Sequence, residues 1–253
     1  MPTLRSLAKR VALLFMGTSC RPRRILRGLP RGYKIVVSPK DSLGCLLGTH
    51  ETYLQNIIRK HVLPGQTVYD IGANMGYVSL SLSKQVGPTG TVIAFEPVPE
   101  NLALLHANVE ANHISNIRVF DYAASNQCGE AVIKMTDNLS TASLVWHSND
   151  ASASRFKVKT ITIDQLVRRG EIREPKFVKI DVEGAEGLVL EGMCETIASS
   201  KPTIFLECSD IGRQTSWSLL HQTGYRCVRA TTLRAIDSFD DYRHADFLWL
   251  PTP

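Results

Sequence analysis

The chain has 253 residues, 43% of them hydrophobic and 21% charged, which is enough to bury the core of one large α/β domain or two small ones. The six cysteines are scattered without any C-x-x-C pair, which argues against a zinc site or a disulfide framework and favours a reducing cytoplasm. The net charge of +5 is uneven, because residues 1–34 hold nine Lys or Arg and no acid while the rest is mildly acidic, which argues against a nucleic-acid-binding core.

We assign residues 1–45 to a basic N-terminal extension and residues 46–253 to the domain that follows. The apolar run at residues 11–16 is too short to span a bilayer and lacks the cleavage site of a signal peptide. Three interpretations remain open: a basic helix in peripheral contact with a membrane, a transit peptide, or a disordered or locally packed extension. A short strand is expected at residues 33–37, and helical spacing of apolar residues predicts a helix at residues 46–60.

A strand, a glycine turn and a helix are predicted in succession at residues 67–85. The strand is β-branched and aromatic, as is typical of a buried strand, and ends in the sequence D-I-G-A-N-M-G at residues 70–76. The spacing of Gly72 and Gly76 differs from the G-x-G-x-x-G of dinucleotide sites, and Asp70 would repel a pyrophosphate. Asp70 would instead suit a cationic ligand group, such as the amino group of a methionine moiety.

A second strand, at residues 91–95, ends in Glu96 and Pro97, and a helix is predicted at residues 99–112. A carboxylate at this point can accept hydrogen bonds from the hydroxyls of a ribose. A ligand with a free ribose and a cationic tail is S-adenosylmethionine. The alternative is that Asp70 and Glu96 are only carboxylates at the ends of strands.

A third strand is expected at residues 116–122. Asp121 near its end could reach an adenine amino group, or it could be a solvated turn residue. Two further β segments, at residues 129–136 and 156–163, predict an inserted hairpin or sheet edge. The polar stretch between them, residues 137–154, is long for a structureless connection, so we interpret it as a candidate substrate-facing loop.

Three carboxylates crowd the corner between a buried strand at residues 177–180 and a helix that starts near Gly184. They are Asp181, Glu183 and Glu186. Acids in a first helical turn favour the helix dipole, which explains Glu186 better than Asp181. Three carboxylates could also bind a divalent cation.

The last predicted elements close the domain. A strand at residues 203–207 again ends in a carboxylate, Glu207, and a short helix follows at residues 217–224. Residues 225–230 and 245–250 are expected to form a closing pair of strands.

These motifs resemble those of the FkbM family of S-adenosylmethionine-dependent methyltransferases over roughly residues 51–250. The matching pieces are D-I-G-A-N-M-G at 70–76, A-F-E-P at 94–97, K-I-D-V-E-G-A-E at 179–186, V-L-E-G at 189–192 and P-T-I-F-L-E at 202–207. The resemblance implies the class I methyltransferase fold, an α/β, Rossmann-like, doubly wound sheet. That sheet has seven strands and is mostly parallel, with an antiparallel last strand.

The resemblance also implies residues for the cofactor S-adenosyl-L-methionine and for catalysis. The methionine moiety would contact Asp70, Gly72, Ala73, Asn74 and Gly76. The ribose would contact Glu96 and Pro97, and the adenine would contact Asp121 and Ala123. Asp181 would stand at the transfer end, with Glu183 and Glu207 as further catalytic carboxylates. That Asp181 is the general base is a hypothesis, and no metal ligand is assigned.

The implied reaction is methyl transfer to a hydroxyl of a sugar, glycolipid or natural product, for which an enzyme positions the acceptor and supplies a base. The absence of an N-P-P-Y stretch favours an oxygen acceptor, and metal-assisted deprotonation by the same carboxylates stays open. Nucleic acid is not an expected partner.

Two other functions compete with methyl transfer. A nicotinamide oxidoreductase would need different glycine spacing, and the short-chain type also needs Tyr-x-x-x-Lys, which the chain lacks. A non-catalytic cofactor-binding scaffold or partner subunit remains possible, because a fold does not determine a function.

Overall fold

The structure, a computed structural model, describes residues 21–37, 39–135, 142–143, 155–243 and 245–252. The apolar run at residues 11–16 lies outside the described residues. So does the polar loop at 137–154, apart from residues 142–143.

The strands, in chain order, are β1 (Arg21–Arg24), β2 (Lys34–Val37), β3 (Thr67–Ile71), β4 (Thr91–Phe95), β5 (Ile117–Phe120), β6 (Ala123–Ala124), β7 (Gly129–Met135), β8 (Ala142–Ser143), β9 (Arg155–Ile161), β10 (Phe177–Ile180), β11 (Thr203–Cys208), β12 (Tyr225–Arg229), β13 (Ala235–Ile236) and β14 (Ala245–Pro251). The helices are α1 (Pro39–Leu47), α2 (Thr52–His61), α3 (Tyr77–Val86), α4 (Pro99–Ala111), α5 (Ile163–Arg168), α6 (Glu186–Glu191), α7 (Cys194–Ser200) and α8 (Arg213–Gln222), with a 3₁₀ turn at Phe239–Asp241. Within these described residues, none of the helices has the length and apolar character needed to cross a membrane.

The central sheet has the strand order β13-β12-β14-β11-β10-β3-β4-β5. Neighbouring strands from β11 to β5 are parallel. The last strand, β14, runs antiparallel to both of its neighbours, β11 and β12. The predicted seven-stranded, mostly parallel sheet with an antiparallel last strand is therefore confirmed, and the two-residue β13 extends its edge.

The register of the parallel strands brings their carboxyl ends to one edge of the sheet. Ile71 at the end of β3 pairs with Phe95 at the end of β4 and with Ile180 at the end of β10. The chain order reverses between β3 and β10, and open α/β sheets bind ligands at such a point. The residues that follow these three strands therefore share one crevice.

Helices cover both faces of the sheet, because the residues of each strand alternate between two apolar clusters. Val68 packs on one face with buried residues of α2 and α3, such as Ile58 and Leu82. Tyr69 packs on the other face with buried residues of α6 and α7, such as Leu190. This two-sided burial produces the predicted doubly wound architecture.

The segment from Arg21 to Cys45, part of the predicted extension, packs against the domain. β1 and β2 form an antiparallel hairpin, and its buried Ile25 and Ile35 contact Tyr77 of α3. The boundary at residue 45 between extension and domain stays a prediction, but this part of the extension is folded.

Three local expectations differ from the structure or are refined by it. The helix expected at residues 46–60 is two helices, α1 and α2, because Glu51 between them has a left-handed backbone with φ of 47°. α8 begins at Arg213, earlier than expected. The inserted hairpin is present, since β7 and β9 pair antiparallel within a separate sheet of order β6-β9-β7-β8.

Candidate active site

The glycine turn after β3 is shaped by contacts within the protein. Gly72 has φ of 77°, and a Cβ added to it would lie 1.8 Å from the backbone oxygen of Asp181. Gly76 has φ of 90°, and its Cβ would meet Leu105 of α4 at 2.4 Å. Glycine is therefore required at both positions so that the turn can pack against β10 and α4.

A first cavity opens along the ends of β3 and β4 and encloses about 620 Å³, including its open mouth. Its lining residues come from the strand ends, the second sheet and the corner after β10: Ile71, Gly72, Asn74, Phe95, Glu96, Pro97, Val98, Asn101, Tyr122, Ala123, Ala124, Ile133, Asp181, Val182 and Glu183. Apolar and aromatic side chains with a few convergent polar groups are typical of a small-molecule site.

Glu96 lines this cavity, and backbone N–H groups hold its carboxylate. Its Oε2 accepts a hydrogen bond from the N–H of Asn74 at 2.7 Å, and its Oε1 accepts one from the N–H of Val98 at 2.9 Å. Burial raises the pKa of Glu96, while these hydrogen bonds oppose the shift. The carboxylate is thus fixed in orientation at the edge of the cavity. Pro97 and Ala123 also line the cavity.

Asp121 does not lie where the sequence predicted. Its side chain is 56% exposed and pairs with Lys159 at 3.5 Å, and it is not among the residues that line the cavity. Strand β5 ends at Phe120, so Asp121 already belongs to the turn, and the neighbouring Tyr122 lines the cavity. The alternative interpretation, a solvated turn residue, describes Asp121 correctly.

Asp70 is also placed differently from the prediction that it contacts a cationic ligand. Its side chain is fully buried, accepts a hydrogen bond from the Ser79 hydroxyl at 2.5 Å, and lies 3.5 Å from the Lys179 ammonium. Lys179 therefore supplies the positive charge that Asp70 was expected to take from a ligand. Gly76, at the start of α3, likewise does not line either described cavity.

A second cavity, about 980 Å³ with its open mouth, lies on the other side of the glycine turn. Its lining residues come from the segment before α2, the turn, α3 and the ends of β10 and β11: Gly44, Cys45, His50, Glu51, Gly72, Ala73, Asn74, Met75, Tyr77, Val78, Lys179, Asp181, Glu183 and Glu207. The two cavities share Gly72, Asn74, Asp181 and Glu183, so they form one crevice that bends around the turn.

The structure brings the three predicted catalytic carboxylates, Asp181, Glu183 and Glu207, to the second cavity. Asp181 is tied to a cation, because its Oδ2 lies 3.1 Å from the Lys179 ammonium. Lys179 itself is 3% exposed and donates a hydrogen bond to the Gly72 carbonyl at 2.7 Å.

The carboxylates of this cluster raise the pKa values of both Lys179 and Glu207. Burial lowers the pKa of Lys179, but the carboxylates of Asp181 and Asp70 outweigh burial and raise it, so Lys179 stays protonated. Burial, followed by the charges of Asp181 and Asp246, raises the pKa of Glu207 to about 8. A carboxyl group with this pKa can exchange a proton near neutral pH.

The residues of the second cavity that were not singled out from the sequence include His50, Glu51 and Lys179. A signal for Lys179 exists, because a lysine in the middle of the buried strand F-V-K-I needs partners. No local pattern marks His50 or Glu51, since their place at the cavity depends on the turn between α1 and α2. Within the described part of the chain, no three His, Cys, Asp or Glu side chains converge in a way that could hold a metal ion.

Much of the chain is similar in sequence to known methyltransferases. Residues 70–243 match the family model described as the methyltransferase FkbM domain. The chain is 30% identical to the hexuronic acid methyltransferase AglP of Haloferax volcanii over 132 residues, 52% of each protein. It is 29% identical over 159 residues to the 31-O-demethyl-FK506 methyltransferase FkbM of Streptomyces tacrolimicus, which covers 57% of this chain and 59% of that relative.

The chain thus spans about half the length of the curated relatives it matches. Among solved structures, the methyltransferase FkbM from Methylobacillus flagellatus is similar at 19% identity, with a TM-score of 0.46 over 73% of this chain and 43% of that one.

Proposed function

The chain belongs to the FkbM methyltransferase family, whose model matches more than half of it, and from this premise we propose that it transfers the methyl group of S-adenosylmethionine to a hydroxyl. The observation that carries the proposal is the bent crevice. It has apolar side chains and Glu96 on one side of the glycine turn, and the carboxylates of Glu51, Asp181, Glu183 and Glu207 line the cavity on the other.

S-adenosylmethionine, the cofactor of this family, fits the residues of the crevice. Phe95, Tyr122 and Ile133 offer apolar surface for the adenine in the first cavity. The carboxylate of Glu96 has about four acceptor sites, and the groups of Asn74, Val98 and Asn101 take three, which leaves capacity for a ribose hydroxyl. The bound cofactor would supply an electrophilic methyl group on a sulfonium.

The acceptor is proposed to be a hydroxyl of a sugar, glycolipid or natural product. The relatives named above support this class, because one is called a hexuronic acid methyltransferase and another a 31-O-demethyl-FK506 methyltransferase. The carboxylates of the second cavity support it as well, since a hydroxyl becomes an effective nucleophile only when a base takes its proton.

Among Asp181, Glu183 and Glu207, we assign Glu207 as the base that accepts the proton of the acceptor hydroxyl. Asp181 is already engaged in an ion pair, since its Oδ2 lies 3.1 Å from the Lys179 ammonium. Glu207 has a pKa raised to about 8, so it can take up a proton near neutral pH. Asp181 and Glu183 are then proposed to position the acceptor, and Asp181 as the general base stays the competing hypothesis.

The test is calorimetric binding of S-adenosylhomocysteine to the wild-type chain and to Glu96→Gln, with NADH as the control ligand. We expect binding of S-adenosylhomocysteine alone, weakened about tenfold or more in Glu96→Gln, because a charged hydrogen bond contributes about 1.5–3 kcal/mol. Transfer of a labelled methyl group to a panel of sugars, uronic acids, glycolipids and natural products then identifies the acceptor. Binding of NADH, or of neither ligand, would favour the oxidoreductase or the scaffold instead.

A further inference from the structure

Glu51 has an unusual backbone for its residue type. It precedes the first residue of α2 with φ of 47° and ψ of 48°, in the left-handed region, and its side chain does not cap the helix. Non-glycine residues adopt this region rarely, and such residues concentrate at functional sites. Two others, Asn74 with φ of 51° and Glu183 with φ of 48°, line the same second cavity.

The carboxylate of Glu51 has one oxygen engaged and one without a hydrogen-bond partner. Oε1 lies 3.0 Å from Nε2 of His50, whereas the buried Oε2 has no partner. Burial raises the pKa of Glu51, but the His50 hydrogen bond and the positive charge of Lys179 outweigh it and lower the pKa. The group is therefore an ionised carboxylate with unused acceptor capacity, and a buried group of this kind is costly unless a ligand completes its hydrogen bonds.

The location of Glu51 indicates what kind of ligand this is. Glu51 lines the second cavity together with Gly72, Ala73 and Asn74 of the glycine turn. Asp70, to which the sequence assigned the cationic part of the cofactor, is fully buried, forms an ion pair with Lys179 and lines neither cavity, although its Oδ1 also lacks a hydrogen-bond partner. Glu51 is thus a carboxylate beside the turn that can still receive a cation.

We propose that Glu51 binds the ammonium group of the methionine moiety of S-adenosylmethionine. The proposal rests on the function proposed above and names a cofactor contact that neither the sequence motifs nor the resemblance assigned. Ammonium is a compact donor of three hydrogen bonds, and a bond to an ionised carboxylate is among the stronger hydrogen bonds in proteins. The Glu51 side chain is 24% exposed and lines the second cavity, so a ligand in that cavity can reach its carboxylate without a change of the backbone.

The experiment compares two ligands that differ by the amino-acid part. S-adenosylhomocysteine carries the ammonium, and 5′-methylthioadenosine has the same adenosine and thioether without it. Calorimetry is done without any acceptor on the wild-type chain, on Glu51→Gln and on Glu171→Gln, which removes a charge from a residue outside both cavities. We expect Glu51→Gln to lose at least tenfold in affinity for S-adenosylhomocysteine and to bind 5′-methylthioadenosine within twofold of wild type. Glu171→Gln should change neither affinity.

A second variant, Glu51→Gly, guards against a purely structural effect. Glycine adopts a φ of 47° without strain, so this variant should fold with an unchanged or higher melting temperature and show the same selective loss. Unchanged affinity of Glu51→Gln for S-adenosylhomocysteine, or an equal loss for both ligands, would overturn the proposal and leave methyl transfer intact. If the wild-type chain bound neither ligand, the proposed function itself would fail, and this contact with it.

Discussion

At the residue scale, the pair of Asp70 and Lys179 shows what a sequence motif leaves undetermined. Alternation along β3 places Asp70 on the same face as Val68, toward α3, where Ser79 donates to it. The face on which Asp70 lies can therefore be predicted from the two-residue repeat of a strand. The ion pair of Asp70 with Lys179 cannot, because Lys179 lies beside Asp70 only through the parallel register of β10 with β3. Carboxylates can be found from sequence, but their partners depend on long-range pairing.

The prediction at this scale concerns Glu207 and the pH dependence of kcat/KM. Burial and neighbouring carboxylates raise its pKa to about 8, and only its ionised form can accept the proton of the acceptor hydroxyl. We therefore expect kcat/KM to rise about tenfold per pH unit below about pH 8 and to level off above it. The measurement is a pH–rate profile of the wild-type chain and of Glu207→Gln.

Glu207→Gln should lose both the ascending limb and most of kcat, while its affinity for S-adenosylhomocysteine stays within a few-fold. The comparison variant is Glu130→Gln, an exposed residue paired with Lys157, which should keep the wild-type profile. If Glu207→Gln kept the ascending limb, another group would be the proton acceptor.

At the scale of elements, long periodic or apolar segments were predicted well, and short irregular ones were not. The strands β3, β4 and β10 and the helix α4 lie where expected, because apolar spacing and Pro99 define them locally. The joint between α1 and α2 was missed, since a left-handed glutamate has no sequence signal. The hairpin of β1 and β2 was only partly expected, because its stability comes from contacts with α4 that are distant in the chain.

Those contacts are made by two asparagines about one helical turn apart: Asn108 of α4, and Asn112 directly after its last residue. The buried Asn108 accepts a hydrogen bond from the N–H of Val36, and Asn112 both accepts from and donates to the backbone of Lys34. The asparagines thus pair with the edge of β2 as another strand would. Asn108 also donates to the carbonyl of Met75 near the glycine turn, at 2.7 Å.

Replacing Asn108 by Ala would leave the N–H of Val36 and the carbonyl of Met75 without partners. Each unsatisfied group costs about 1–3 kcal/mol, so we expect the free energy of unfolding to fall by roughly 2–4 kcal/mol. Urea denaturation measures this, with Asn126→Ala as the control, since its hydrogen bond to Glu191 is exposed and should contribute less than about 0.5 kcal/mol. Equal effects of the two substitutions would contradict the role of the α4 asparagines.

At the scale of the whole molecule, the β1–β2 hairpin differs from the rest of the fold in its charge. Residues 21–34 carry six Lys or Arg and no acid, and in the structure Arg21, Arg24, Arg27 and Arg31 are exposed. Leu26 lies between them in the chain with 54% of its surface exposed. Exposed arginines interspersed with an apolar side chain are typical of surfaces that contact anionic membranes.

The sequence expectation of peripheral membrane contact thus becomes a prediction about a folded surface. We expect the full chain to bind vesicles containing phosphatidylglycerol, more weakly at higher salt, and not to bind phosphatidylcholine vesicles. Because each basic residue near an anionic bilayer contributes about 1 kcal/mol, replacing Arg21, Arg24, Arg27 and Arg31 by Gln should lower the partition coefficient more than tenfold. Vesicle co-sedimentation provides the measurement.

A matched variant separates a local surface from net charge alone. Replacing Lys157, Lys159, Arg168 and Arg169 by Gln removes the same charge from exposed residues that already pair with carboxylates. If the hairpin is the contact surface, this variant binds vesicles like the wild-type chain, because its charges lie outside the hairpin. Equal weakening of both variants would show that net charge alone causes the attraction, and the hairpin would no longer be the contact surface.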